Sequence, residues 1–164
     1  MILLITGPES SGKTSLSEQI ANKTNFVCLP EYARIYLQKK KTPDYNFLDL
    51  EKIAVEHIRR FKQLQKDEPC IILDTFLLNL KIWSNYKFEK TSELILDALD
   101  EFKPDLTFLL KPDIPWEADP LREHPNDRDK LFDLFESEIK LRKDIYQVLS
   151  GQNRETKALR QLGF

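Results

Sequence analysis

The sequence predicts an α/β fold: a parallel sheet covered by helices on both faces, with a phosphate-binding loop closing its first strand. Three observations carry this expectation. Short, almost wholly apolar runs recur along the chain, as strands buried on both faces require. Stretches with helical apolar spacing separate them, an alternation that yields a parallel sheet with right-handed crossovers. The segment "GPESSGKT", residues 7–14, matches G-x-x-x-x-G-K-[ST] directly behind the apolar start "MILLIT".

The first strand is "ILLIT", residues 2–6. The loop behind it holds two of the chain's four glycines. Glycines let a backbone curl around an anion and turn its N–H groups inward. The following helix, "SLSEQIANK" with Leu16, Ile20 and Ala21 at helical spacing, aims its positive end at the same point. Gly7, Glu9, Ser10, Ser11, Gly12, Lys13, Thr14 and Ser15 are therefore the candidate nucleotide-binding residues. Lys13 supplies a point charge to the outer phosphates, and Thr14 offers a hydroxyl to Mg²⁺.

The second strand is "FVCL" (26–29), followed by "PEYAR" with Glu31 and Arg34. A helix over 47–65 is written by Phe47, Leu50, Ala54, Ile58, Phe61 and Leu64. The third strand, "CIILD" (70–74), ends in Asp74, and the helix behind it carries Trp83 and Tyr86. "SELILDALDEF" gives another helix and "LTFLL" (106–110) the fourth strand. Residues 111–128 hold four of the nine prolines and cannot form one regular helix. They read as a long loop, or as helical fragments joined by one. "RDKLFDLFESEIKLRKD" is the next helix, and "IYQVL" (145–149) a weaker fifth strand.

At 164 residues the chain has the length of one domain with a sizeable core. Its net charge is −2, with acids and bases interspersed, so nothing argues for a nucleic-acid partner. The run Lys39, Lys40, Lys41 reads as a solvated helix end. Cys28 and Cys70 lie in strand-like runs without metal-ligand spacing and read as buried thiols of a reducing compartment. No apolar run reaches membrane-spanning length, and "MILLIT" is too short for a signal peptide. The expectation is a cytoplasmic protein without a membrane partner.

Ligands of open parallel sheets bind beyond the C-terminal strand ends. Asp74 stands there as a Mg²⁺-supporting aspartate, or as the N-cap of the next helix. Glu31 is the candidate base for an attacking hydroxyl, or an acid that complements a helix dipole. Arg34, three residues on, can hold Glu31, a substrate or a surface partner. Arg122 and Arg128, in the proline-rich loop or at its exit, are placed to neutralise a phosphoryl group in transfer. Their targets are expected only when phosphate is bound. Trp83, Tyr86 and Trp116 are candidates to stack on an aromatic ring, with a cation–π gain if it is charged; Trp83 and Tyr86 can equally be core. His57 and His124 carry no sequence sign of function. Lys13 is expected to face solvent in the empty loop.

With these pieces in place, the chain resembles the ribosylnicotinamide kinase domain of the NadR type, within the P-loop kinase superfamily. The resemblance rests on "GPESSGKTSL", "LPEYARIYL", "LDT" followed by "KIWSNYK", "PDL…LLKPDIPWEADPLR" and the spaced "NDR…LF". It implies a P-loop NTPase, nucleoside-kinase-like fold of strand order 2-3-1-4-5, one kinase domain over residues 1–164, and a lid at about 112–128. It implies ATP and Mg²⁺ as cofactors and nicotinamide riboside as the phosphoryl acceptor, giving nicotinamide mononucleotide. It also implies Lys13, Glu31, Asp74, Arg122 and Arg128 as the catalytic set, Thr14 and Asp74 at the metal, and Glu31, Arg34, Trp83, Tyr86 and Trp116 at the acceptor. Members of the family often carry an acid where this chain has Phe76. The best-known members also carry an upstream adenylyltransferase domain; this chain begins at the kinase strand, so the adenylyl step is expected of another protein. The alternatives are a kinase for another nucleoside, or a ligand-sensing P-loop ATPase that transfers nothing. The latter would have no need of a carboxylate on the acceptor side.

Overall fold

The computed structural model describes residues 1–40 and 44–164. Five strands alternate with seven helices among these residues: β1 (Ile2–Thr6), α1 (Lys13–Lys23), β2 (Val27–Leu29), α2 (Tyr32–Lys39), α3 (Phe47–Asp67), β3 (Ile71–Asp74), α4 (Leu77–Phe88), α5 (Glu93–Glu101), β4 (Leu106–Leu110), α6 (Arg128–Leu141), β5 (Tyr146–Leu149) and α7 (Arg154–Leu162). The strands form one parallel sheet in the order β2-β3-β1-β4-β5. β1 lies centrally, pairing Leu4 with Leu73 of β3 and with Thr107 of β4.

The continuous apolar character of the strands has a simple cause. Successive side chains of a strand point to opposite faces, and here both faces are covered. Leu4, Ile71, Leu73 and Leu109 join a core with residues of α3, α4, α5 and α6. Leu3, Ile5, Ile72, Phe108 and Leu110 join a second core with Leu16 and Ile20 of α1 and Ala158 of α7. The expected strands 26–29, 70–74 and 145–149 each begin one residue later than the sequence suggested. Residues 111–127 form no helix or strand and run as an irregular strap from β4 to α6. The short helix α7 was not anticipated; Ala158 and Leu162, four apart and followed by Gly163 in the left-handed region, are the signal that points to it. Of the lysine run, Lys39 is exposed and Lys40 pairs with buried Asp49, while Lys41 lies outside the described residues. Among the described residues no helix is long and apolar enough to cross a membrane.

Gly7 and Gly12 serve different purposes. At Gly7, φ is +137°, and a Cβ would stand 2.7 Å from the Leu110 carbonyl oxygen, so the glycine permits the close approach of β1's end to β4. Gly12, at φ +83°, is the N-cap of α1 and turns the chain into that helix.

Candidate nucleotide-binding site

The C-terminal ends of β1, β2, β3 and β4 open onto one cleft. Its floor is the phosphate loop from Glu9 to Ser15. Its walls include Glu31 and Arg34 from the β2–α2 junction, Trp83 and Tyr86 from α4, Tyr45, and Leu121 to His124 from the strap. Sequence reasoning missed Tyr45, which precedes α3 without a motif of its own, and it discounted His124.

Asp74 ends β3, and its Oδ2 accepts a hydrogen bond from the Thr14 hydroxyl at 2.7 Å. It does not cap α4, whose N-cap position is Phe76. Asp74 Oδ1 is buried and has no hydrogen-bond partner among the described residues. Glu31 stands at the N-cap position of α2 but makes no capping bond with its side chain, which is thereby left to the cleft. The N-terminus of α2 is held instead by His57, whose Nε2 accepts from the Tyr32 N–H at 2.8 Å. His57 is buried, and that burial depresses its pKa to about 4.

Lys13 lines the cleft but is less open than the sequence suggested. It is half-buried, and its ammonium donates to the Pro8 carbonyl at 2.6 Å across its own loop. The loop curls tightly enough that the lysine's nearest acceptor is the loop itself. Burial pushes the Lys13 ammonium below its ordinary pKa, against the fields of Glu31, Asp74 and Glu9. Burial likewise pushes the Glu31 and Asp74 carboxyls up, against the pull of Lys13. Glu31 lines the cleft, whereas Asp74 is buried behind Thr14 and is not among the lining residues; both carboxyls and the Lys13 ammonium are poorly hydrated, and each is easier to protonate or deprotonate than it would be in water.

The strap lies across the phosphate loop and is bonded to it. The N–H groups of Glu123 and His124 each donate to the Glu9 carboxylate at 3.0 Å. The Glu117 N–H donates to the Ser10 hydroxyl at 3.0 Å. Arg128 donates to the Ser10 and Ile114 carbonyls at 3.1 and 3.0 Å. Arg122 donates to the Ser10 hydroxyl at 3.3 Å and to the Glu117 carbonyl. Both arginines therefore have protein acceptors without any phosphate, contrary to the sequence expectation, because the strap folds down onto the loop. Ser10, at φ +51°, is held in the left-handed region at the centre of these bonds.

The remaining sequence candidates divide. Arg34 is bonded to Asp119 of the strap at 2.8 Å rather than to Glu31. Tyr86 lines the cleft; its hydroxyl donates to Asp127 at 2.8 Å and its ring meets that of His124 edge-on at 4.9 Å. Trp83 also lines the cleft. Trp116 is not among the lining residues; its ring packs near the guanidinium groups of Arg122 and Arg128, at 5.9 and 5.7 Å. Phe76 packs against His57 and Phe61, at 5.4 and 5.5 Å between ring centres, and belongs to the core. Gly7 also stands away from the lining, against β4.

A parallel sheet of order 2-3-1-4-5 and a phosphate loop whose threonine meets a strand-end aspartate define a nucleotide-binding domain of the nucleoside-kinase fold. A family model described as an AAA domain matches residues 2–155, and the chain belongs to that family. It is 32% identical over 123 residues to the trifunctional NAD biosynthesis/regulator protein NadR of Salmonella typhimurium, and equally to that of Escherichia coli. These matches cover 72% of this chain but 30% of the relatives, so the chain spans under a third of their length. Solved structures agree on the fold. A NadR protein in complex with NAD and AMP-PNP superposes with a TM-score of 0.82 at 17% identity, over 98% of this chain and 48% of that one. A NadR protein in complex with NR gives 0.80 at 16% identity, over 98% and 50%. Deoxyadenosine kinase from M. mycoides gives 0.71 at 16% identity, over 99% of both chains.

Proposed function

We propose that this chain transfers the γ-phosphoryl group of ATP to the ribose 5′-hydroxyl of nicotinamide riboside, giving nicotinamide mononucleotide. The observation that carries this reading is Glu31. It lines the cleft together with the phosphate loop, and its carboxylate is uncommitted to a helix cap. A domain that only sensed a nucleotide would have no use for a proton-accepting carboxylate there. The likeness to NadR over most of the chain supports the choice of acceptor. So do Trp83, Tyr86 and Tyr45, aromatic rings suited to a cationic pyridinium.

In this reading residues 1–164 act as one kinase domain, and Glu31 accepts the proton of the attacking hydroxyl. A carboxyl lifted above its ordinary pKa is a better base than one in water. Lys13 leaves the Pro8 carbonyl for the outer phosphates. Thr14 and Asp74 would hold Mg²⁺; a buried carboxylate oxygen without a partner beside a threonine hydroxyl fits a hard cation. When bound, Mg²⁺ neutralises charge on the phosphate oxygens. Arg122 and Arg128 exchange Ser10 and the strap carbonyls for the phosphoryl group. The cleft, about 180 Å³, is below the ~300–1,000 Å³ of common ligand sites, so the strap must lift to admit both substrates and close again to exclude water. Strap residues 112–128 are thus the lid.

A second reading is kept by the deoxyadenosine kinase likeness, which spans nearly all of both chains: the acceptor is another nucleoside. The test is a coupled ADP-release assay over a nucleoside panel with products identified by mass. Nicotinamide riboside should raise ADP formation far above the basal rate, with nicotinamide mononucleotide as product. Stimulation by a different nucleoside alone selects the second reading, and indifference to every nucleoside sinks both.

A further inference from the structure

We propose that Arg154 is a positioning residue for the nucleotide's phosphates, acting through the peptide between Ser11 and Gly12. The inference rests on the nucleotide-binding reading of the phosphate loop, and it concerns a residue that carries no sequence motif.

Arg154 is the first residue of α7, and it is 8% exposed. A guanidinium so deeply placed loses most of its hydration, a cost that must be offset locally. Three acceptors meet it. Nη1 donates to the Ser11 carbonyl at 2.5 Å, and Nη2 donates to the Lys111 carbonyl at 2.8 Å. Nη2 also pairs with the Asp113 carboxylate, whose other oxygen accepts from the Gly151 N–H at 2.7 Å. Nε is buried without a partner among the described residues. One side chain therefore joins the phosphate loop, the root of the strap and the turn between β5 and α7.

Its place against the loop gives this arrangement a chemical consequence. The Ser11 carbonyl and the Gly12 N–H belong to the same peptide. A carbonyl that accepts a bond from a cation polarises its amide, so the N–H at the other end becomes a stronger donor. In a loop of this type that N–H is one of those that meet phosphate oxygens. The contact also fixes the peptide's orientation. A Cβ on Gly12 would stand 3.5 Å from Arg154 Nη1 and 3.4 Å from Ile114 Cδ1, so the guanidinium is packed against the motif's second glycine. Asp113 and the Lys111 carbonyl hold the guanidinium from the strap side, which ties the loop's geometry to the strap's root.

The test is nucleotide binding, so that it does not depend on which acceptor the chain uses. Arg154→Met removes the fork at similar length, and Arg154→Lys keeps a charge for Asp113 without reaching both carbonyls. ATP affinity is measured by calorimetry well below each variant's melting temperature, with near-UV circular dichroism to confirm the fold. Arg154→Met should bind ATP about 10-fold or more weakly, the worth of one charged hydrogen bond. Arg154→Lys should fall between the two. In Arg154→Ala, guanidinium ion, and not methylammonium at equal concentration, should restore part of the affinity. In turnover assays the ATP KM should rise while the acceptor KM stays. A variant that melts earlier yet binds ATP as the wild type does overturns the proposal and leaves Arg154 a strut for α7. Should Arg154→Met fail to fold, Arg154→Lys decides by the same measurement. A wild-type protein that binds no ATP overturns both this inference and the kinase reading. Intact ATP binding with no acceptor found removes only the latter.

Discussion

Glu31 and Asp74 should fail differently when made amides, and the structure sets how. Glu31→Gln keeps the shape of the side chain at the head of α2 and removes its ability to take a proton. Glu31 makes no capping bond and His57 holds the α2 N-terminus, so the substitution leaves the head of α2 in place, and the amide oxygen can keep the contact with Thr75. A placed base contributes ~10²–10⁴-fold, or about 3–5 kcal/mol of barrier, so turnover should fall by that factor with ATP affinity almost unchanged. Asp74→Asn is a different loss. Its Oδ2 accepts from Thr14 at 2.7 Å, and its buried Oδ1 has no partner. The amide removes a full charge, and its NH₂ must take the place of one of those oxygens, either facing the hydroxyl or lying buried with nothing to accept it. The loss of one charged interaction predicts about 10–100-fold weaker Mg²⁺–ATP binding and a raised Mg²⁺ requirement. Calorimetric titration of Mg²⁺–ATP and single-turnover phosphoryl transfer separate the two. If Glu31→Gln transfers at the wild-type rate while Asp74→Asn binds normally and cannot transfer, Asp74 is the base and the assignment is inverted.

Further outcomes are expected. Lys13→Met should abolish turnover and leave the melting temperature close to wild type, because its ammonium is bonded to a loop carbonyl; a variant with normal activity would remove Lys13 from the mechanism. Burial raises the Glu31 pKa, so the folded state holds a proton there that the unfolded chain has released. Stability contributed by that carboxyl is then lost as pH rises from the unfolded value of about 4.5 through the folded one, and Glu31→Gln should be more stable than the wild type above this window. Paired melts from acid to neutral pH that run parallel would refute it. The same shift places the acid limb of the turnover profile above the ordinary carboxylate range, a limb that Glu31→Gln should lack. Arg34→Ala breaks the tie to Asp119; because the pair is partly exposed, strap opening should rise by up to about fivefold. Hydrogen exchange at the Glu117, Glu123 and His124 amides reads this directly, and nucleotide plus acceptor should slow it. Exchange that neither the variant nor the ligands alter would show that these bonds do not govern the strap.

The sequence by itself determined the sheet, most helices and the position of the phosphate loop. These rest on local physics. Apolar runs mark strands covered on both faces, a 3.6-residue spacing marks helices, and "GPESSGKT" carries its own turn chemistry. Because a parallel sheet gathers its strand ends on one rim, the sequence alone brings Glu31, Asp74 and the loop to that rim. What surrounds them was decided by tertiary structure alone. Trp83 and Trp116 look alike in sequence, yet one lines the cleft while the other packs against two arginines of the strap. Arg34 and Arg122 are both cations near a phosphate loop, but only packing shows that one holds Asp119 and the other the loop's serine. Phe76 sits two residues beyond Asp74, and its aromatic partners come from α3. Arg154 reaches Ser11 across 143 positions of chain. No periodicity or motif spans such a separation, because the contact exists only once α1 and α7 pack on the same face of the sheet.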